Sequence, residues 1–321
     1  MKQQTFEAAR AERWDQFEAA LAALDRRASD PTGEFPKLYR ELCQDLALAR
    51  DRRFTGALID RLNLLALRGH HHLYRGQGPV GAGIVRFVAR DFPRAVRAEA
   101  RLFWLMSFLF YGPLALMAWL AAVGEPTVIY SLLEPHRVRE FEQMYREQLD
   151  RTYTDNLAMF GFYIFNNVGI AFRSFASGLL LGIGSLFVTI FNGLYIGLIF
   201  GRILGLGEPY STKFLGFVSG HSSFELTAIV IASTAGMRLG LSVLAPGQRS
   251  RGNALRTSAR DTLPLVYGAG GMLVIAALIE AFWSATSFVE SGHDPVRYAV
   301  GGVLWTAVAL YLLLAGRSRA V

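Results

Sequence analysis

The stretch from Asn166 to Leu244 constrains this chain more than any other. It reads NNVGIAFRSFASGLLLGIGSLFVTIFNGLYIGLIFGRILG and, after a polar break at Glu208–Lys213, FLGFVSGHSSFELTAIVIASTAGMRLGLSVL. Most of it is apolar enough to live in lipid, yet Asn166, Asn167, Arg173, Asn192, Arg202, His221, Glu225 and Arg238 are spread through it. Polar and ionisable side chains at membrane depth are costly, so each requires a partner, an interface or a water-filled cavity. The fold class this predicts is all-α, a polytopic transmembrane helical bundle.

The glycines add a packing constraint. Gly193, Gly197, Gly201 and Gly205 recur every fourth residue, which stacks them on one helix face and admits another backbone closely. Gly178/Gly182, Gly216/Gly220 and Gly236/Gly240 repeat the spacing. The ladder of four is expected at a helix–helix contact, either inside one subunit or at the seam of a two-fold dimer.

Apolar residues make up 52% of the 321, and several runs approach the roughly 20 residues needed to cross a bilayer. The expected organisation is a cytoplasmic helical region over 1–101, ending in a basic membrane-surface helix, and a transmembrane domain over 102–321. In the first region Phe6, Trp14, Phe17, Leu21 and Leu24 mark one amphipathic helix. Leu38, Leu42, Leu46 and Ala49 mark a second, and Leu58, Leu62 and Leu65 a third. Asp30–Gly33 reads as a turn. Arg86, Arg90, Arg94, Arg97 and Arg101 form a basic face expected to meet anionic lipid. The first thirty residues hold no apolar h-region, so no cleavable signal peptide is expected. The single cysteine, Cys43, excludes an intramolecular disulfide.

Six spans are expected, at about 102–123, 160–190, 193–206, 214–244, 264–283 and 297–315. The second and third divide either at Gly182–Gly184 or at Asn192-Gly193, and Asn192-Gly193 is the better turn signal. Arginine supports the count of six. The Arg86–Arg101 segment, the Gly247–Arg260 loop and the tail with Arg317 and Arg319 then share one side, cytoplasmic by the positive-inside rule. The loop from Gly124 to about Asp155, with an amphipathic helix around 135–151, falls on the other. The net charge of +7 is explained by these flanking arginines, and nucleic-acid binding is not expected.

His221 and Glu225 are four residues apart and so share a helix face. They read either as a proton-carrying or ion-binding pair or part of a metal site, or as a structural hydrogen bond that locks neighbouring helices. One His and one carboxylate do not by themselves make a zinc site, so no metal is expected. Arg238, thirteen residues after Glu225, falls roughly on the opposite face and reads either as a structural residue or as one that reaches lipid phosphates near the cytoplasmic end. His70-His71-His72 reads as a solvated turn. Span parity places Glu280 near the outer end of the fifth span. It also predicts one polar cluster, Arg173–His221–Glu225–Glu280, lined by Asn166 or Asn167 and opening outward. His-Glu-x-x-His, a Gly-rich phosphate loop and a nucleophile elbow are all absent, so neither an enzyme nor a cofactor is expected.

From about Asn156 onward the chain resembles the stage II sporulation protein M family. The resemblance is carried by the run Asn167–Phe172, by Gly178 and Gly182, and by Asn192-Gly193. It is carried further by GHSSFELTAIVIASTAGMRLG, in which His221, Phe224-Glu225-Leu226 and Arg238-Leu239-Gly240 match the family pattern. Ser222 departs from it, since the family usually has Gly there. The resemblance implies a multi-pass protein of the bacterial inner (cytoplasmic) membrane with both termini cytoplasmic, acting as a cell-envelope scaffold or assembly partner. Expected partners are membrane lipids, envelope proteins and a second copy in a homodimer. The alternative is a transporter or channel with a polar site between discontinuous helices, suggested by the buried polar set and the short third span.

Overall fold

The structure, a computed structural model, describes residues 2–25, 34–74, 80–124, 136, 153–284 and 295–317. The turn at Asp30–Gly33 and the helix expected around 135–151 lie outside the described residues. The chain divides into two compact units, Met1–Ala82 and Gly83–Val321. Among the described residues there is helix and no strand.

The first unit is built from α1 (Gln3–Asp25), α2 (Phe35–Asp51) and α3 (Gly56–Tyr74). Its core is the expected one: Phe6, Trp14, Phe17 and Leu21 pack with Leu42, Leu46, Ala49, Leu58, Leu62 and Leu65. One polar group enters this core. Asp45 is buried and accepts from Arg10 Nε at 2.6 Å and Trp14 Nε1 at 3.0 Å. The carboxylate thereby satisfies a buried indole N–H that would otherwise lose its water.

The second unit opens with α4 (Val80–Arg86), a π-helical turn (Phe87–Asp91) and α5 (Phe92–Ala98). Then follow α6 (Ala100–Val123), α7 (Tyr153–Ala176), a 3₁₀ turn (Ser177–Leu179), α8 (Ile183–Gly205) and α9 (Tyr210–Leu244). The unit closes with α10 (Arg251–Leu278), which runs on into a π-helical turn (Ile279–Ser284), and α11 (Pro295–Leu314). Five of these helices, α6, α8, α9, α10 with its π turn, and α11, are long and apolar enough to cross a membrane. The second expected span corresponds to α7, which has 24 residues and a less apolar make-up. In the most apolar 18-residue stretch of α9, 72% is buried, against 22% in α6 and in α11, so α9 is the central helix.

The boundary between the second and third spans is not at Asn192-Gly193. The chain reverses at Ser177–Gly182, where Leu181 (φ 56°) and Gly182 (φ 83°) take the left-handed conformation. The pieces are therefore 153–176 and 183–205 rather than 160–190 and 193–206. Asn192 sits inside α8, where its Nδ2 donates to the Val188 carbonyl at 2.7 Å. An Asn satisfied by its own helix is no turn signal. The helices of the fourth and fifth expected spans, α9 and α10, also begin earlier than expected. The arginines Arg251, Arg256 and Arg260 lie on the first turns of α10, whose start is capped by Ser250 accepting from Asn253 N–H.

The glycine ladder packs inside the subunit. Cβ atoms placed on Gly193, Gly197, Gly201 and Gly205 would lie within 3.0 Å of the carbonyl oxygens of Phe110, Leu114, Ala118 and Ala122 in turn. This register makes α6 and α8 parallel and locks them backbone to backbone. A second junction joins α9 to the 177–185 turn, where Gly236 meets the Ser174 and Phe175 carbonyls and Gly240 meets Gly182.

The arginine-rich entry is only partly a lipid-facing surface. Arg86, Arg90 and Arg101 are exposed. Arg94, however, donates to the Gly316 carbonyl at 2.5 Å, and Arg97 to those of Leu312 and Ala315 at 2.6 Å. These guanidinium groups satisfy carbonyls that the end of α11 leaves open. Burial pushes the Arg97 pKa down, with Arg317 and Arg94 adding to the shift.

Candidate functional site

The π-helical turn at the end of α10 creates the site. Such turns widen the helix locally and recur at functional positions. Here the turn carries Glu280 and Ser284, both buried, against the first half of α9. His221 is 4% exposed, and its Nδ1 lies 3.2 Å from Ser284 Oγ. Its Nε2 faces the Glu225 carboxylate, with Oε2 3.8 Å away. Glu280 completes the group: one ligand atom each from His221, Glu225 and Glu280 lies within 4.8 Å of the others. Gly220 makes this possible, since a side chain there would collide with the Trp283 ring.

A groove of about 830 Å³ opens beside the cluster. His221, Glu225 and Glu280 line it together with Tyr111 of α6, Phe200 of α8 and Trp305 of α11. Trp305 Nε1 donates to Ser222 Oγ at 3.3 Å, so Ser222, the departure from the family pattern, anchors one wall. Arg297, at the start of α11, is buried beside Ser284. Its NH1 donates to the Ser284 carbonyl at 3.2 Å and its guanidinium lies 5.7 Å from the Trp283 ring centre.

Of the expected cluster, His221, Glu225 and Glu280 come together and Arg173 does not. Arg173 is exposed on the last turn of α7. Tyr163 of the same helix packs with Ala277 and Ala281, next to Glu280. Ten residues separate Tyr163 from Arg173, about 15 Å along the axis, which carries the arginine toward the other end of the bundle. Asn167 is 2% exposed, with its Nδ2 lacking a hydrogen-bond partner; Asn166 is exposed and donates from Nδ2 to Asn167 Oδ1 at 3.0 Å. Arg297 and Ser284 are the members that the sequence pattern does not reveal, because they lie at helix ends, Ser284 in a π-helical turn and Arg297 in the first turn of α11. Arg238 meets Glu99, with Nε 2.9 Å from Oε1, instead of projecting alone to lipid.

A central helix wrapped by glycine-packed, lipid-length helices, with titratable groups from two of them meeting beside a groove, defines a polytopic membrane protein. The family model for Stage II sporulation protein M matches residues 106–285, more than half of the chain, and the chain belongs to that family. The match begins in α6, earlier than the motif resemblance, and covers α7 to α10 with every residue of the cluster. A separate model, a Domain of unknown function (DUF8413), matches residues 4–75, the three helices of the first unit. Comparison with curated proteins and with solved structures gave no match.

Proposed function

We propose that this protein is a scaffold or assembly partner in cell-envelope biology, non-catalytic, multi-pass in the bacterial inner membrane with both termini on the cytoplasmic side. The observation that carries this reading is the construction of the bundle. α9 runs unbroken through His221 and Glu225, and α8 is a full 23-residue helix clamped to α6 through four glycines. A bundle locked backbone to backbone offers partners a fixed surface. The discontinuous helices and short third span that favoured a transporter have no counterpart in α8 or α9. The transporter reading keeps one observation in its favour, the groove beside the polar cluster.

The proposed assembly includes a second copy of the chain, with envelope proteins and lipids around it. Affinity purification of wild type and Glu225→Gln from native membranes, with proteins, lipids and small molecules identified together, tests the role. The scaffold reading expects the same stoichiometric protein partners with both. Unchanged partners and expression combined with loss of a transport activity in Glu225→Gln would overturn it in favour of the transporter.

A further inference from the structure

We infer that His221, Glu225 and Glu280 form a binding site for a divalent transition-metal ion of the zinc class. The site goes beyond the scaffold reading and does not depend on it. Three geometric observations carry it. First, the three candidate ligand atoms already lie within 4.8 Å of one another, with His221 Nε2 and Glu225 Oε2 at 3.8 Å. Tetrahedral ligands about 2.0–2.2 Å from a metal are about 3.4 Å apart, so modest side-chain rotation closes the set.

Second, the imidazole is held in the orientation a ligand needs. In the tautomer protonated on Nδ1, the ring donates to Ser284 Oγ, 3.2 Å away, and turns its Nε2 lone pair toward the Glu225 carboxylate. At 3.8 Å Nε2 makes no hydrogen bond to Glu225, which leaves that nitrogen available as a ligand in a 4% exposed side chain. Ser284 is itself positioned by Arg297, whose NH1 holds the Ser284 carbonyl at 3.2 Å.

Third, the charges suit a cation. Two carboxylates from neighbouring helices at membrane depth repel each other and lose their water. A divalent ion offsets that repulsion, while a neutral imidazole adds a ligand without adding charge. A nitrogen donor favours zinc, cobalt, nickel, iron or copper over magnesium, calcium or manganese, which prefer oxygen. The groove beside the cluster leaves the fourth position for water or a partner's donor.

The test uses the full-length, tag-free chain in detergent, carrying His70→Gln and His71→Gln to remove exposed histidines that would compete for metal. Co²⁺ is the probe, read by its visible d–d absorption, with zinc displacement and bound-metal analysis alongside. One Co²⁺ per chain with a tetrahedral spectrum, displaced by Zn²⁺, is expected. Glu280→Gln and His221→Ala should each weaken binding by at least about 100-fold, whereas Ser284→Ala, which removes only the support of the ring, should weaken it by about 10–100-fold. Glu208→Gln, on the loop before α9, should bind like the parent. Size-exclusion profiles identify variants that fail to fold. A folded parent chain that binds no Co²⁺ or Zn²⁺ at micromolar concentration overturns the proposal whatever the variants do. So does a folded Glu280→Gln chain with the parent's affinity and spectrum.

Discussion

Two buried polar centres, one in each unit, show opposite solutions to the same problem. In the first unit Asp45 sits in an apolar core, and its partners close around it at 2.6 Å and 3.0 Å, Arg10 and Trp14 both donating. In the membrane unit His221 and Glu225 stand 3.8 Å apart, with Glu280 nearby and a groove of about 830 Å³ alongside. The first centre is closed and its geometry is consumed by the fold. The second keeps space beside its titratable groups, which is how a binding site differs from a structural lock. Fold stability should therefore depend steeply on Asp45 and weakly on the glutamates.

The largest effect expected from breaking this contrast is at Asp45. Asp45→Ala strands the Trp14 indole N–H and uncouples Arg10, a loss of about 3 kcal/mol from the first unit. The low end of the range for buried pairs applies because the Arg10 side chain retains 21% exposure. Hydrogen exchange of the α1 amides in the full chain measures it, and protection within a few tenths of a kcal/mol of wild type would make Asp45 a bystander.

The frame of the open centre comes next. Leu114 and Ile196 both line the groove, and Gly197, beside Ile196, meets the Leu114 carbonyl. Gly197→Leu therefore forces α6 and α8 apart, with about 1–3 kcal/mol of overpacking or outright loss of assembly. Gly271→Leu is the control, since nothing lies within 4 Å of a Cβ placed there. Thermal unfolding in detergent compares them. Equal midpoints would mean that the groove does not depend on the glycine clamp.

Neutralising the open centre should do less. Glu225→Gln removes one of two carboxylates that repel in the absence of a cation, so metal-free stability should change by under about 1 kcal/mol or rise. Added zinc should then stabilise wild type and not the variant. A metal-free loss as large as that of Asp45→Ala would erase the distinction between the two centres.

The same contrast explains what could be read from sequence. The helices of the first unit were legible because leucines at helical spacing mark a single buried face in water, while Asp45 was not, since its charge reads as surface. In the membrane unit His221 and Glu225 are neighbours on one helix, and Glu280 follows from span parity. Arg173 misled because α7 begins at Tyr153, so the arginine lies at the far end of that helix. Asn192 misled because an Asn in lipid can satisfy itself on the preceding carbonyl, which hides it in mid-helix. Ser284 owes its role to the π-helical turn, and no periodicity announces such a turn.

The smallest expected effect lies at the surface of the first unit, where a third polar group marks the boundary between a lock and a mere contact. Asp25 accepts from Arg68 at 2.8 Å and lies 2.7 Å from His72 Nε2. The hydrogen bond from Arg68, then the one from His72, holds its carboxyl below the ordinary carboxylate range. A depressed folded pKa means that the ionised form is favoured by folding. The stabilisation is complete above the unfolded pKa of about 3.9 and fades as pH falls through the lower folded value. Because the Asp25 side chain is 48% exposed, screening keeps the effect small. Asp25→Asn should leave α3 protection near its C-terminal end almost unchanged below about pH 3 and slightly weaker at pH 6. Hydrogen exchange at the two pH values reads the difference. A loss at pH 6 comparable to that of Asp45→Ala would show that exposure, and not closure around the carboxylate, is the wrong criterion for separating locks from contacts in this chain.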